Sequence, residues 1–182
     1  MATDVADKGK GTLLTITISC IDEAGEVLSD SIFKFFIRGV SGFGDKGLSQ
    51  ATLPSIPDRT PDTVSEETTT ENQAILYRLS GDLNPLHIDP NMAALGGFDR
   101  PILHGLCTYG ICGRVIYEKY CDKNPDALQS ISARFTSHVF PGETLVVETF
   151  KEGTQVLFQA KTKERGKVVT VGACELKLQA KL

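Results

Sequence analysis

The chain has 182 residues, 41% of them hydrophobic, which is enough for one domain with a sizeable core or for one domain plus part of another. The formal net charge of −4 and the lack of a dense Lys/Arg block argue against nucleic acid or an anionic membrane surface as the main partner. No uncharged run approaches the roughly 18 residues that a membrane-spanning helix requires.

The first part of the chain is predicted to form strands and then a connector. The β-branched run Gly11 to Cys20 alternates in part, and a turn at Asp22 to Gly25 separates it from the apolar stretch Val27 to Ile37, which is typical of a hairpin. Prolines and the acidic, Thr-rich stretch Val64 to Glu71 then indicate an extended connector. The predicted division is a strand unit at 1–50, a linker at 51–71 and a complete domain at 72–182.

Helices are predicted after the connector. A short helix runs from Gln73 to Leu79 and ends before Gly81, and Met92 to Leu95 make a further helical turn. A longer helix runs from about Gly105 to Tyr120. Its apolar residues wrap most of the circumference, so we expect this helix to be buried.

The remaining residues are predicted to form an antiparallel sheet. The four strand-like segments, separated by turn residues, are Ser130 to Thr136, Thr144 to Phe150, Val156 to Lys163 and Val168 to Leu178. Successive strands after a long buried helix indicate an α+β domain in which the sheet wraps around the helix.

The loop after the short helix carries acid–base groups. Asp82, Asn84 and His87 lie within Gly-Asp-Leu-Asn-Pro-Leu-His-Ile-Asp-Pro. A neutral imidazole can take a proton from water, and a carboxyl group can supply one or orient the same water. Asn84 cannot titrate, so it would fix the tautomer or rotamer of His87 or position the water. A purely structural loop also contains these residue types, because Asp and Asn satisfy backbone groups and Pro fixes φ.

Gly105 is predicted to begin the long helix. The amides at a helix N-terminus are unpaired and lie at the positive end of the dipole, and a glycine lets a carbonyl oxygen approach closely. A well-aimed donor to a developing enolate oxygen is worth on the order of 3–4 kcal/mol. The alternative is that Gly105 only leaves room for helix–sheet packing.

Metal binding is a competing interpretation of the same region. Ligand atoms are present in Asp82, His87, Asp89 and His104, but no H-x-x-x-H or comparable spacing organises them, so we predict no metal. For His104 and His138 we expect structural roles.

Two further features concern the cellular compartment. The five cysteines form no C-x-x-C pair and are expected to be reduced intracellular thiols. The last three residues, Ala180-Lys181-Leu182, differ in one position from the Ser-Lys-Leu peroxisomal address. An ordinary strand end has similar residues, so the address gains weight only together with the chemistry.

Two stretches resemble the hydratase 2 motif of MaoC-like hotdog proteins. They are Tyr77-Arg-Leu-Ser-Gly-Asp-Leu-Asn-Pro-Leu-His-Ile-Asp-Pro and Gly97-Phe-Asp-Arg-Pro-Ile-Leu-His-Gly-Leu-Cys-Thr, and the resemblance continues through Ser132-Ala-Arg-Phe and Val139-Phe-Pro-Gly-Glu-Thr-Leu. The resemblance implies a hotdog fold, an antiparallel sheet wrapped around a long central helix. It also implies reversible syn hydration of trans-2-enoyl-CoA to (3R)-3-hydroxyacyl-CoA, without metal or redox cofactor.

The resemblance implies roles for individual residues. Its catalytic pair falls on Asp82 and His87, its supporting asparagine on Asn84 and its oxyanion-hole glycine on Gly105. The substrate-binding positions that it implies are Lys8, Leu83, Pro85, Leu86 and Phe135.

The resemblance also bears on assembly. Eukaryotic members carry two hotdog units, and only the terminal strands of an incomplete first unit, roughly Lys8 to Phe43, are represented here. Single-hotdog hydratases function as homodimers, which implies a homodimer here too. The predicted function is that of a peroxisomal (R)-specific enoyl-CoA hydratase of fatty-acid β-oxidation, recognised by the peroxisomal import receptor. An acyl-CoA thioesterase and an inactive acyl-CoA-binding fragment are the alternatives.

Overall fold

The computed structural model describes residues 1–45, 47 and 55–177. Three predicted features lie outside these residues: the first part of the linker, the strand end at Leu178 and the tail Ala180-Lys181-Leu182. The chain divides into two compact units, Met1–Thr52 and Leu53–Leu182, and each is described by itself. Among the helices of the described ranges, none combines the length and apolar character needed to span a membrane.

The first unit contains a three-stranded antiparallel sheet. Its strands, β1 (Ala2–Asp7), β2 (Gly11–Ile21) and β3 (Val27–Arg38), lie in the order β1-β2-β3. Strands β2 and β3 pair from Gly11↔Arg38 to Ile21↔Val27, which confirms the predicted hairpin. Within this unit β3 is exposed along its whole length. That these strands belong to an incomplete hotdog unit stays a prediction.

The second unit contains a five-stranded antiparallel sheet with helices. Its strands, in the order β4-β6-β7-β8-β5, are β4 (Thr63–Thr68), β5 (Leu128–Phe135), β6 (Thr144–Glu152), β7 (Gln155–Thr162) and β8 (Lys167–Leu176). Its helices are α1 (Gln73–Arg78), α2 (Pro90–Leu95) and α3 (Gly105–Tyr120). The predicted helices and the four predicted strands are confirmed, with boundaries shifted by a few residues at most.

Strand β4 lies within the residues predicted as a linker. It pairs with β6 from Thr63↔Thr149 to Thr68↔Thr144, and the hydroxyls in these two pairs lie 2.7 and 3.1 Å apart. The positions of β4 alternate between partly buried and exposed, and the partly buried ones are Thr63, Ser65 and Glu67, so the sequence shows no apolar alternation. The linker assignment is therefore wrong for these six residues.

Helix α3 packs one face on the sheet. The buried residues of the core come from this face and from the facing strands: Cys107, Cys112, Val115, Ile116, Leu145, Val147, Val156, Phe158 and Val169. On the opposite face, exposed residues recur every four positions at Leu106, Gly110, Arg114 and Glu118, and Lys119 is exposed as well. The expectation that α3 is buried is therefore wrong for one side of the helix within this unit, because the sheet covers the other side only. The long helix packed on an antiparallel sheet is the predicted α+β hotdog fold.

Candidate active site

The loop after α1 is held by its own side chains. Asp82 Oδ1 accepts a hydrogen bond from Asn84 N (3.2 Å), and Asn84 Oδ1 accepts one from Leu86 N (3.1 Å). Asn84 thereby caps the 3-10 turn Pro85–His87, whose first residue is a proline with a preset φ. The Asp82 and Asn84 side chains therefore satisfy backbone groups of the loop, which is the structural role considered from the sequence. Together they place His87 on the inner side of the loop, where it is 9% exposed.

A backbone carbonyl selects the tautomer of His87. Nδ1 of this ring lies 2.7 Å from the carbonyl oxygen of Ile102. Because a carbonyl oxygen only accepts, Nδ1 must donate, and Nε2 of the neutral ring then carries the lone pair. The tautomer role that was one option for Asn84 is thus filled by Ile102. A backbone contact of this kind leaves no signal in the sequence.

His104 contacts both members of the predicted catalytic pair. Its ring stacks on His87, with centroids 3.7 Å apart and planes at 28°, and its Nε2 lies 3.2 Å from the carbonyl oxygen of Asp82. Tyr77 packs on the ring at 4.8 Å. His104 is 1% exposed, and burial, reinforced by neighbouring His87, lowers its pKa below the usual 6.5. In the sequence, the one indication of these contacts is the position of His104 directly before Gly105.

Asp82, His87 and His104 form the one candidate metal cluster found among the described residues. One ligand atom of each lies within 4.8 Å of the other two. A nitrogen ligand requires the ion in the plane of its ring, and two stacked rings do not share a plane, so both imidazoles cannot bind one ion in this arrangement. The cluster suits proton transfer between an imidazole and a carboxylate better than it suits metal binding.

His87 and Gly105 line the same cleft, which encloses about 440 Å³. Most of its wall is apolar and consists of Phe98, Ile102, Leu103, Phe135, Val139 and Val169. Polar groups come from Thr108, Thr136, Ser137 and His138. An apolar cleft with few polar groups near a base suits a small or extended organic substrate.

Gly105 is the first residue of α3, so its amide is one of the first-turn amides that have no partner within the helix. A Cβ added at Gly105 would lie 3.2–3.3 Å from the ring of Phe135. Gly105 thus lines the cleft and leaves the space that Phe135 occupies. The contact supports the packing interpretation of this glycine, and the role of its amide stays a prediction.

The predicted substrate-binding residues fall into three groups. Phe135 lines the cleft. Leu83, Pro85 and Leu86 are not among the cleft-lining residues; Leu83 is 59% exposed, and Leu86 packs near Gly96. Lys8 follows β1 and belongs to the first unit. Substrate contacts of all five residues stay predictions.

A buried ion pair holds the cleft wall around His138. Glu143, 5% exposed, accepts hydrogen bonds from Phe140 N (2.7 Å) and from Arg165 Nη2 (2.8 Å). The same Arg165 nitrogen donates to the carbonyl of His138 (2.7 Å). Burial, and next the charge of Arg165, lower the pKa of His138. His138 therefore lines the cleft as a mainly neutral ring, a position that its sequence context did not reveal.

This fold and cleft define a class of protein: a hotdog fold in which a histidine and the first residue of a long helix line one apolar cleft, with a carboxylate close to the histidine. Residues 52–173 match the family model described as MaoC like domain. The chain belongs to the MaoC-like dehydratase family.

Three similar proteins are longer than this chain. It is 50% identical over 171 residues to the probable enoyl-CoA hydratase 2 of Dictyostelium discoideum, covering 92% of this chain and 58% of the relative. It is 45% identical over 181 residues to the peroxisomal enoyl-CoA hydratase 2 of Arabidopsis thaliana, covering 94% and 59%. The structure of a MaoC-like dehydratase from Phytophthora capsici superposes with a TM-score of 0.89 at 41% identity, covering 98% and 63%. The chain thus spans about three-fifths of the length of these proteins.

Proposed function

We propose that the chain is an (R)-specific 2-enoyl-CoA hydratase that adds water reversibly, with syn geometry, to trans-2-enoyl-CoA and forms (3R)-3-hydroxyacyl-CoA. One observation carries this proposal: His87, whose Nδ1 contacts the Ile102 carbonyl so that Nε2 is the basic nitrogen of the neutral ring, lines the same cleft as Gly105, and the Asp82 carboxylate approaches within 4.8 Å. The hydratase 2 names of the two relatives, at 45–50% identity, support the same reaction.

The proton balance of the reaction needs one water. His87 Nε2 takes a proton as the water oxygen bonds to C3, and the C2–C3 electron pair moves toward the thioester carbonyl. A proton then returns to C2 from the same side, which accounts for syn addition. Asp82 orients the water or relays this proton. General acid–base groups of this kind contribute about 10²–10⁴ in rate each.

The developing enolate requires a donor at its oxygen. The amide of Gly105 is unpaired within α3 and lies at the positive end of the helix dipole, so it suits this role. The apolar wall with Phe135 would keep bulk water from the acyl chain next to the thioester.

An absorbance assay tests the activity. Purified chain is mixed with trans-2-enoyl-CoA, and loss of the conjugated thioester absorbance is followed while free thiol is measured in parallel. The product is then offered to dehydrogenases specific for (3R)- or (3S)-hydroxyacyl-CoA. We expect absorbance loss, a (3R) product and no free CoA. Release of free CoA would instead indicate the thioesterase alternative.

A second candidate function has one specific observation in its favour. The chain spans about three-fifths of the length of its relatives, so it can be an acyl-CoA-binding fragment without turnover. Saturable binding of a 3-hydroxyacyl-CoA, measured by calorimetry, without any hydration would select this function.

Compartment and assembly belong to the same proposal. The name of the Arabidopsis relative includes "peroxisomal", and Ala180-Lys181-Leu182 would serve as the ligand of the peroxisomal import receptor. A fluorescent fusion ending in this tripeptide should enter peroxisomes, and one without it should not. A homodimer is the proposed assembly, and sedimentation equilibrium at several concentrations tests it by mass.

A further inference from the structure

We infer that His104 is a positioning residue of the site, because its stacked ring and its Nε2–H hold both His87 and Asp82. This inference rests on the proposed hydration for its functional meaning. It concerns a residue that would act through others, since His104 is not among the residues lining the cleft.

The hydrogen bond to the Asp82 carbonyl determines the tautomer of His104. The acceptor is a backbone carbonyl, so Nε2 must carry the hydrogen. Nδ1 is then bare, and it is buried with no hydrogen-bond partner among the described residues. Leaving a polar atom buried and unpaired is unfavourable, and an apolar side chain at this site would avoid that cost. The bond to the Asp82 carbonyl is therefore the reason to have an imidazole here.

Capping of α3 does not explain why residue 104 is a histidine. His104 occupies the N-cap position of α3, where Ser, Thr, Asp or Asn would accept a hydrogen bond from the first turn. His104 makes no such capping bond. Its ring contacts instead the loop that carries Asp82 and His87, across 22 residues of sequence in the case of Asp82.

The charge of His104 matters for the base. Two protonated rings at a centroid distance of 3.7 Å would repel, so the pair binds one proton far more readily than two. His104 is 1% exposed, and this burial disfavours its charged form more strongly than the neighbouring His87 does, so its pKa lies below the usual 6.5. Of the other groups that act on His104, Arg78 also disfavours its charge, whereas Asp82 favours it. The ring that stacks on His87 is therefore neutral, and it places no positive charge beside the proposed base.

Substitutions separate the two contacts of His104. His104→Phe keeps a stacking ring and removes the bond to Asp82, and His104→Gln keeps a donor and removes the ring. We expect His104→Phe to lower kcat by about 10–100-fold, since small misplacements of catalytic groups have effects of this size, with KM changed less than about threefold. His104→Gln should recover part of kcat. Val115→Ala, in the core face of α3, is the control: it should lower Tm and leave kcat unchanged.

A double-substitution cycle tests whether His104 acts through His87. In the His87→Ala background, His104→Phe should change the residual kcat by less than about twofold, because a positioning effect disappears with the group that is positioned. Equal fold losses in both backgrounds would overturn the inference. So would a His104→Phe enzyme with wild-type kcat.

Nitrogen NMR of the histidines gives a readout that needs no turnover. We expect His104 as the neutral Nε2–H tautomer at neutral pH, and we expect His104→Phe to shift the ring nitrogens of His87. A wild-type chain that fails to hydrate enoyl-CoA overturns the proposed function, and the tautomer measured on the same sample still decides the inference. A charged His104 or the Nδ1–H tautomer overturns it.

Discussion

Individual hydrogen bonds orient the two side chains of the proposed acid–base pair, His87 and Asp82. The Ile102 carbonyl directs Nδ1 of His87, and a bond to Asn84 N orients the Asp82 carboxylate. Asp82→Asn and His87→Gln should each lower kcat by about 10²–10⁴, with Tm within a few degrees of wild type. Steady-state kinetics and thermal melts check this. Asp89→Asn is the matched control, because Asp89 only caps α2 and Asn caps equally well. Wild-type kcat in Asp82→Asn would remove Asp82 from the mechanism.

Substitutions can separate the two functions considered for Gly105, an amide donor and a space for Phe135. The Cβ of Gly105→Ala would crowd the Phe135 ring at 3.2–3.3 Å and the space beside the Gly105 amide. We expect kcat to fall at least about tenfold, as for a weakened oxyanion donor, while alanine at a helical position does not lower stability. The double variant Gly105→Ala/Phe135→Ala relieves the crowding. Full recovery of kcat in this variant would show that Gly105 only provides room for Phe135.

At the scale of elements, two glycines differ in the space available for a side chain. A Cβ at Gly172 in β8 would lie 2.3 Å from the Ser132 carbonyl oxygen and 2.4 Å from the ring of Phe158. Gly172→Ala should therefore lower the free energy of unfolding by about 1–3 kcal/mol or prevent folding. At Gly110, on the exposed side of α3, a Cβ meets nothing within 4 Å, so Gly110→Ala should raise the free energy by up to about 1 kcal/mol. Urea titrations of both variants measure these changes. Equal midpoints would contradict the packing of β8.

The elements differ in how well the sequence predicted them. Helix α3 and strands β5 to β8 were predicted because apolar periodicity and Gly or Pro turns mark them. Strand β4 was missed, because an edge strand of Thr, Ser and Glu has the composition of a linker.

The site was predicted in part. The sequence pointed to Asp82 and His87 in one motif stretch and to Gly105 in a second, and the structure brings His87 and Gly105 to one cleft, while the roles of the three residues stay predictions. The Ile102 carbonyl and the stacking of His104 on His87 depend on the folded path of the loop, so spacing could not reveal them.

For the whole molecule, the two histidines with lowered pKa values predict how stability depends on pH. Burial lowers the pKa values of His104 and His138 below 6.5, so the unfolded chain binds more protons than the folded chain as pH falls through 6.5. The free energy of unfolding then decreases with falling pH. Thermal melts between pH 8 and pH 5 should show a falling Tm and a smaller fall for His104→Phe. This window lies above the usual pKa of 3.8 of carboxyls such as Asp62. A Tm that is constant or rises toward pH 5 would contradict the neutral state of these rings.

The most direct test of the proposed chemistry is hydration of trans-2-enoyl-CoA in D₂O, with the product examined by proton NMR. If His87 and Asp82 deliver both parts of one water from the same side, the product carries a single deuterium at C2, syn to the hydroxyl, and has the (3R) configuration at C3. Anti or random placement of deuterium, a (3S) product, or no addition would contradict the proposal.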